Sequence, residues 1–228
     1  MPVKDSLETT QQALTHLFAS HNRDWVLTVY NDFSTPENTL LLKQLSGQMG
    51  FRLVNWEERT DHPSPNYRLT LIEAQQAALE DGADLLIVES DVMIRPDTIE
   101  RLQAAIQDNI GMIAAITCDE QGKVNFPYLY AKDEPKRCCK TNKRVSFCCT
   151  LLTHQLLQTI PFESLSTGKD WFDVTISHLA IRHKLTNLLL TDVPVLHKPH
   201  SSRPWKKLKA TNPLRYYWNK IIHGIDRI

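Results

Sequence analysis

Short apolar runs alternate with amphipathic stretches along the first half of the chain, and the spacing predicts helices and strands in turn. Residues 6–20 place Leu7, Leu14, Leu17 and Phe18 along one stripe, predicting a helix capped by Ser6 or Asp5. Residues 25–30 are apolar and β-branched, a buried strand that ends in the polar turn 31–36. A helix over 37–49 and a strand over 51–56 come next. Pro63 and Pro65 permit neither helix nor central strand, so 62–66 is loop. The pattern then predicts a helix over 67–81 closed by Gly82, and a strand from Leu85. Pro96 stands near the start of a helix to Asn109, and a strand covers 110–117. This alternation predicts an α/β fold: a doubly wound sheet with right-handed crossovers, in one domain with helices on both faces.

Regularity fails over 119–144, rich in Lys, Arg, Pro and Cys, where a mobile loop is expected. It returns at 145–157, a strand running into a helix, then a helix over 170–183 and a strand over 188–196 leading to His197. Charge separates the last segment from the rest. The chain has no net charge, but residues 201–228 hold seven basic residues against one acid. That divides the chain into a domain over 1–200 and a basic, aromatic extension over 201–228. No apolar run approaches the roughly 20 residues of a membrane span and no signal-peptide profile opens the chain, so a cytoplasmic location is expected. The five cysteines lack C-x₂-C spacing and are expected as reduced, mostly buried thiols.

The candidate chemistry begins where the run Leu85–Val88 stops at Glu89 and Asp91. Carboxylates just past the end of a buried strand sit where open α/β sheets bind ligands, and positions two apart can face one cation. Solvated acids at a strand end are the alternative. Asp170 and Asp173 lie three apart on a helix face, where mutual repulsion raises one pKa and makes a general base; acids favoured by the helix dipole are the bland reading. An imidazole such as His197 with one or two carboxylates suits Mn²⁺ or Mg²⁺, although a lone histidine is commonly a surface residue.

In order along the chain, five blocks resemble glycosyltransferase family 2, nucleotide-sugar enzymes of the GT-A fold. The 6–10 segment with its helix is similar to the family's first helix. Val29-Tyr30-Asn31-Asp32-Phe33-Ser34-Thr35 resembles its V-D-D-G-S-T turn. Leu86-Ile87-Val88-Glu89-Ser90-Asp91 resembles the L-D-x-D metal motif. Gly168-Lys169-Asp170-Trp171-Phe172-Asp173 resembles the G-E-D-x-D block, and Val195-Leu196-His197 the closing strand and histidine. The resemblance implies a GT-A-type doubly wound mixed sheet and a metal-dependent, inverting glycosyltransferase. It assigns Asp32, Glu89 and Ser90 to the nucleotide sugar, and Asp91, Glu89 and His197 to Mn²⁺ or Mg²⁺. Asp170 becomes the base, with Asp173 as runner-up. The family's Arg-Asn pair falls near Glu73-Ala74, leaving Asn66 or Arg68 to serve the donor.

The departures are specific: only Met1-Pro2-Val3 stand where the family has a full first strand, Asn31 replaces its first acid and Phe33 its glycine. An inactive nucleotide-sugar-binding or scaffold protein on the same fold is therefore the alternative. Relatives that use lipid-linked acceptors imply a glycan or lipid-linked acceptor in cell-surface polysaccharide synthesis. The tail interleaves Trp205, Tyr216, Tyr217 and Trp218 with cations, a mixture that suits peripheral contact with the inner membrane face or a helix packed on the domain. No nucleic-acid recognition motif accompanies the charge.

Overall fold

The computed structural model describes residues 1–135, 138–141, 144–168, 171–198, 212 and 217–218, with Cys138 and Cys139 described in backbone alone. Met1–Lys198 form one compact unit and Pro199–Ile228 a second. The strands of the first unit are β1 (Pro2–Val3), β2 (Thr28–Asn31), β3 (Arg52–Asn55), β4 (Leu85–Val88), β5 (Val92–Met93), β6 (Ile110–Cys118), β7 (Cys138–Thr141), β8 (Cys149–Leu152) and β9 (Thr186–His197). Its helices are α1 (Leu7–Phe18), α2 (Pro36–Met49), α3 (Tyr67–Glu80), α4 (Thr98–Ala104), α5 (His154–Thr159) and α6 (Phe172–Arg182). Among the described residues no helix is long and apolar enough to cross a membrane.

The strands form two sheets. β1, β2 and β3 pair in parallel, in that order. The second runs β4-β8-β6-β9-β5, with β7 also on β9. Both faces are covered, because side chains alternate along each strand. Ile113 and Ala115 of β6 point into a core with Leu14 and Leu17 of α1, Leu42 of α2 and Leu102 of α4. Met112, Ala114 and Ile116 point into another with Leu71 of α3, Leu156 of α5 and Ile176 of α6. Every residue of β6 is buried, which explains its unbroken apolar run.

Several expectations are corrected. β4, whose unbroken apolar run resembles that of a parallel strand, pairs antiparallel with β8, Val88 opposite Cys149, within a mixed sheet. The first predicted strand starts at Thr28, and Val26 is exposed. The helix after Pro96 ends at Ala104, five residues short of Asn109. Within 119–144 lie a 3-10 turn, Leu129–Ala131, and β7. β7 has no apolar run to announce it; its backbone groups add onto the edge of the long β9.

Asp5 does not cap α1 through its side chain. It takes φ +56° and Oδ1 accepts from the Thr35 amide (2.7 Å) and Asn38 Nδ2 (3.2 Å) at the start of α2. An acid there satisfies an otherwise unpaired donor and complements the helix dipole. The β1–α1 corner is thereby tied to the turn that carries Asp32.

Candidate active site

Three backbone registers assemble the site. β4 and β8 run antiparallel, so the residue after Val88 meets the residue before Cys149, and the Glu89 amide donates to the Cys148 carbonyl (3.0 Å). A tight turn closed by Val92 N–H on the Glu89 carbonyl (3.1 Å) carries Ser90 and Asp91 into β5. β5 pairs antiparallel with the end of β9, Val92 opposite His197, and the Lys198 amide donates to the Asp91 carbonyl (2.9 Å). A register shift between Ala115 and Ile116 of β6 lets three residues of β9, Thr191 to Val193, bulge out before Pro194. That bulge sets which residue of β9 arrives beside Asp91.

His197 is 2% exposed. Its Nδ1 lies 2.7 Å from the Phe126 carbonyl oxygen, which can only accept, so Nδ1 carries a proton. Nε2 has no hydrogen-bond partner among the described residues and lies 3.6 Å from Asp91 Oδ2. A buried imidazole nitrogen beside a carboxylate oxygen calls for a proton or a cation between them. This donor set, one imidazole nitrogen and two carboxylates, suits Mn²⁺ or Mg²⁺.

Glu89 adds to the demand for positive charge. Burial first, then the Asp91 carboxylate, pushes its pKa up to about 7. Asp173, at the first turn of α6, is also pushed up by burial, although its Oδ1 accepts from the Val174 amide (2.8 Å). Asp170, the other expected base, lies outside the described residues.

The expected nucleotide side is built differently. Asp32 and Asn66 meet across 34 residues of sequence: Asp32 accepts from Ser64 Oγ (2.8 Å), the Asn66 amide (2.9 Å) and Asn66 Nδ2 (2.8 Å). Asn31, in place of the family's acid, is fully buried and donates to Thr39 Oγ1 and Asn55 Oδ1, both at 3.0 Å. Arg68 does not join this wall. Its Nε donates to the Leu165 carbonyl (2.8 Å) and its Nη2 to that of Glu163, fastening α3 to a neighbouring turn.

Two participants carry no sequence signal as site residues. Cys148 Sγ lies 3.4 Å from Glu89 Oε2, and Sγ, a Glu89 oxygen and a His197 ring nitrogen lie within 4.8 Å of one another. Tyr67 stacks between Phe147 and Phe172, each 6.4 Å between centroids, with its hydroxyl buried and lacking a hydrogen bond among the described residues. Burial, then the negative charge of Glu89 and Asp173, holds that phenol well above its ordinary pKa. The Asn125–Phe126 segment is a third surprise: besides the Phe126 contact, Asn125 Nδ2 donates to the His197 carbonyl (3.0 Å).

No family model matches the sequence, and a search of curated protein sequences finds no match. Solved structures do match. A mannosyltransferase from Pyrobaculum calidifontis, in complex with GDP-Man and Mn²⁺, superposes with a TM-score of 0.66 at 12% identity over 96% of this chain and 62% of its own. The fold is that of the GT-A glycosyltransferases. TarS from S. aureus matches with a TM-score of 0.59 at 13% identity, over 86% of this chain and 58% of its own. GalNAc-T7 with UDP, GalNAc and Mn²⁺ gives 0.61 at 10% identity, over 86% and 42%. The chain thus spans about six tenths of the length of the first two.

Proposed function

We propose that this chain is a metal-dependent, inverting glycosyltransferase that moves a sugar from a nucleotide-diphosphate donor to a hydroxyl acceptor, in synthesis of a cell-surface glycan or polysaccharide. The observation that carries the reading is the buried His197 Nε2, without a hydrogen-bond partner among the described residues, 3.6 Å from the Asp91 carboxylate. The neighbours' complexes with GDP-Man or UDP and Mn²⁺ support the donor class and the ion.

Asp91, Glu89 and His197 would hold Mn²⁺ or Mg²⁺, which when bound neutralises charge on the departing diphosphate. Asp32 is held rigid by its three donors and, with Asn66, forms the wall for base or ribose; Ser90, in the turn between Glu89 and Asp91, also serves the donor. Asp170 or Asp173 removes the acceptor proton as the acceptor oxygen attacks the anomeric carbon opposite the leaving group. Burial makes Asp173 a stronger base than an ordinary carboxylate. The acceptor is a glycan or a lipid-linked one, reached at the inner membrane face; Tyr217 and Trp218, both exposed, are the tail's membrane-seeking residues.

Asp91→Ala tests this: donor hydrolysis and transfer vanish while the circular dichroism spectrum persists. Retained turnover overturns the reading. A second reading, an inactive nucleotide-sugar-binding scaffold, is favoured by the diversion of Arg68. Calorimetry separates the two, since donor binding without turnover across an acceptor panel belongs to the scaffold.

A further inference from the structure

The cation site has a thiol in its wall that the proposed reaction does not use. Cys148 is 2% exposed, placed by β8 with Sγ 3.4 Å from Glu89 Oε2 and 3.5 Å from Ser146 Oγ. A buried cysteine is by itself unremarkable, a small apolar residue with a weak donor. Two features set this one apart. Its sulfur shares one space with a carboxylate oxygen and an imidazole nitrogen, all within 4.8 Å. Nδ1 of His197 is taken by the Phe126 carbonyl, which leaves Nε2, buried and without a hydrogen-bond partner among the described residues, for an ion.

Hard ions and soft ions read such a wall differently. Mn²⁺ and Mg²⁺ take oxygen and nitrogen and ignore sulfur, whereas Zn²⁺ and similar ions favour thiolate with imidazole and carboxylate in a four-coordinate shell. Ligand atoms 2.0–2.3 Å from a tetrahedral ion sit roughly 3.3–3.7 Å apart, so the outermost pair must close by at most about 1.5 Å. Side-chain rotation at Glu89, which no backbone bond ties down through its carboxylate, supplies that adjustment.

We propose that Cys148, Glu89 and His197 form a thiophilic ligand set within the proposed cation site, so that a Zn²⁺-class ion binds there through sulfur and displaces Mn²⁺. The thiol proton passes to buffer as the metal–sulfur bond forms, and the bound ion leaves Asp91 without its Mn²⁺. The sulfur-bound ion takes His197 and Glu89 from Mn²⁺, so a soft ion at this site inhibits the proposed transfer. This ligand set rests on the cation site of the proposed transferase.

The test uses the full chain with Mn²⁺ followed by paramagnetic resonance and Cd²⁺ as the soft probe. Cd²⁺ is expected to displace Mn²⁺ and to produce a sulfur-to-metal charge-transfer band in the ultraviolet. Cys148→Ser is expected to keep its Mn²⁺ and lose the band, together with at least tenfold of its Cd²⁺ affinity. Cys148→Ala, which puts no hydroxyl into the cavity, carries the assignment should Cys148→Ser fail to fold. Displacement without a band overturns sulfur ligation and leaves the cation site standing, as does a band that survives both substitutions. Failure of wild-type protein to bind either ion overturns the cation site itself, and the two failures are thus distinct.

Discussion

The two sheets treat buried polar groups in opposite ways. Around the parallel sheet β1-β2-β3, Asp32, Asn31, Asn55, Ser64 and Asn66 satisfy one another, with three donors on one carboxylate and two acceptors for one amide. At the end of the mixed sheet, Glu89, His197, Asp173 and Tyr67 are less well satisfied: two carboxyls have raised pKa values, and an imidazole nitrogen and a phenol have no hydrogen bond among the described residues. A satisfied network rigidifies and lowers the free energy of the fold; an unsatisfied one raises it. The first is therefore shape, a wall held ready. The second is a deficit of positive charge, and strain of that kind gathers where a ligand relieves it.

The sharpest break between the two regions is Asp91→Asn. Transfer is expected to fall at least 10³-fold, about 4 kcal/mol of transition-state stabilisation, measured as kcat/KM for donor turnover. Without metal, the same variant is expected to unfold at a temperature equal to or above that of the parent. The introduced amide can donate to His197 Nε2 and removes a carboxylate from beside Glu89. A drop in both activity and metal-free stability contradicts the contrast.

Next in size is the pH response. Glu89 has its folded pKa raised to about 7 from 4.5, so the folded state holds the proton more tightly than the unfolded chain. Its contribution is fully present below about pH 4.5 and is lost as pH rises through about 7. The metal-free protein is expected to lose on the order of 2–3 kcal/mol across that window, and Glu89→Gln to flatten the slope. Denaturant melts at about pH 5 and about pH 8, either side of the folded pKa, measure it; Mn²⁺ should restore stability mainly at the higher pH. Asp173, raised in the same sense, leaves a residual slope.

The same contrast explains what can be read in the sequence. The strands and helices with unbroken or periodic apolar runs are legible, because burial on one or both faces dictates those runs: β4, β6, α3 with its Gly82 stop. Glu89 and Asp91 are legible as candidates because their apolar run ends abruptly at two acids. Cys148 and the Phe126 carbonyl are not, since both enter through pairing between distant segments that leaves no local period. β7 is silent for the same reason, an edge addition made of backbone. Arg68 reads as a donor ligand because its charge is visible in the sequence and the carbonyls that take it are not.

On the satisfied side, Asp32→Ala is expected to cost roughly 1–3 kcal/mol. It strands the Asn66 amide and side-chain N–H groups, and Asn66 is 3% exposed. For a domain of this size the melting temperature should fall by about 2–4 °C per kcal/mol. Metal binding, followed by Mn²⁺ resonance, should be untouched, because the bonds of Asp32 go to Ser64 and Asn66 and not to the groups around His197. Asp32→Asn sharpens the result: it keeps one acceptor and loses less.

The smallest effect belongs to Asp5, which joins the corner after β1 to the start of α2. Asp5→Ala removes the acceptor for the Thr35 amide and Asn38 Nδ2 and places alanine at φ +56°. Exposure of the site lets water take over the donors, so the loss should be only about 1 kcal/mol, part of it backbone strain. Asp5→Asn, which keeps an acceptor and tolerates the left-handed conformation, should recover most of it. Thermal melts of the three proteins decide the matter. A substitution here that lowers turnover far more than stability would mean that the corner positions the Asp32 wall directly, and that the satisfied region contributes to the reaction as well as to the fold.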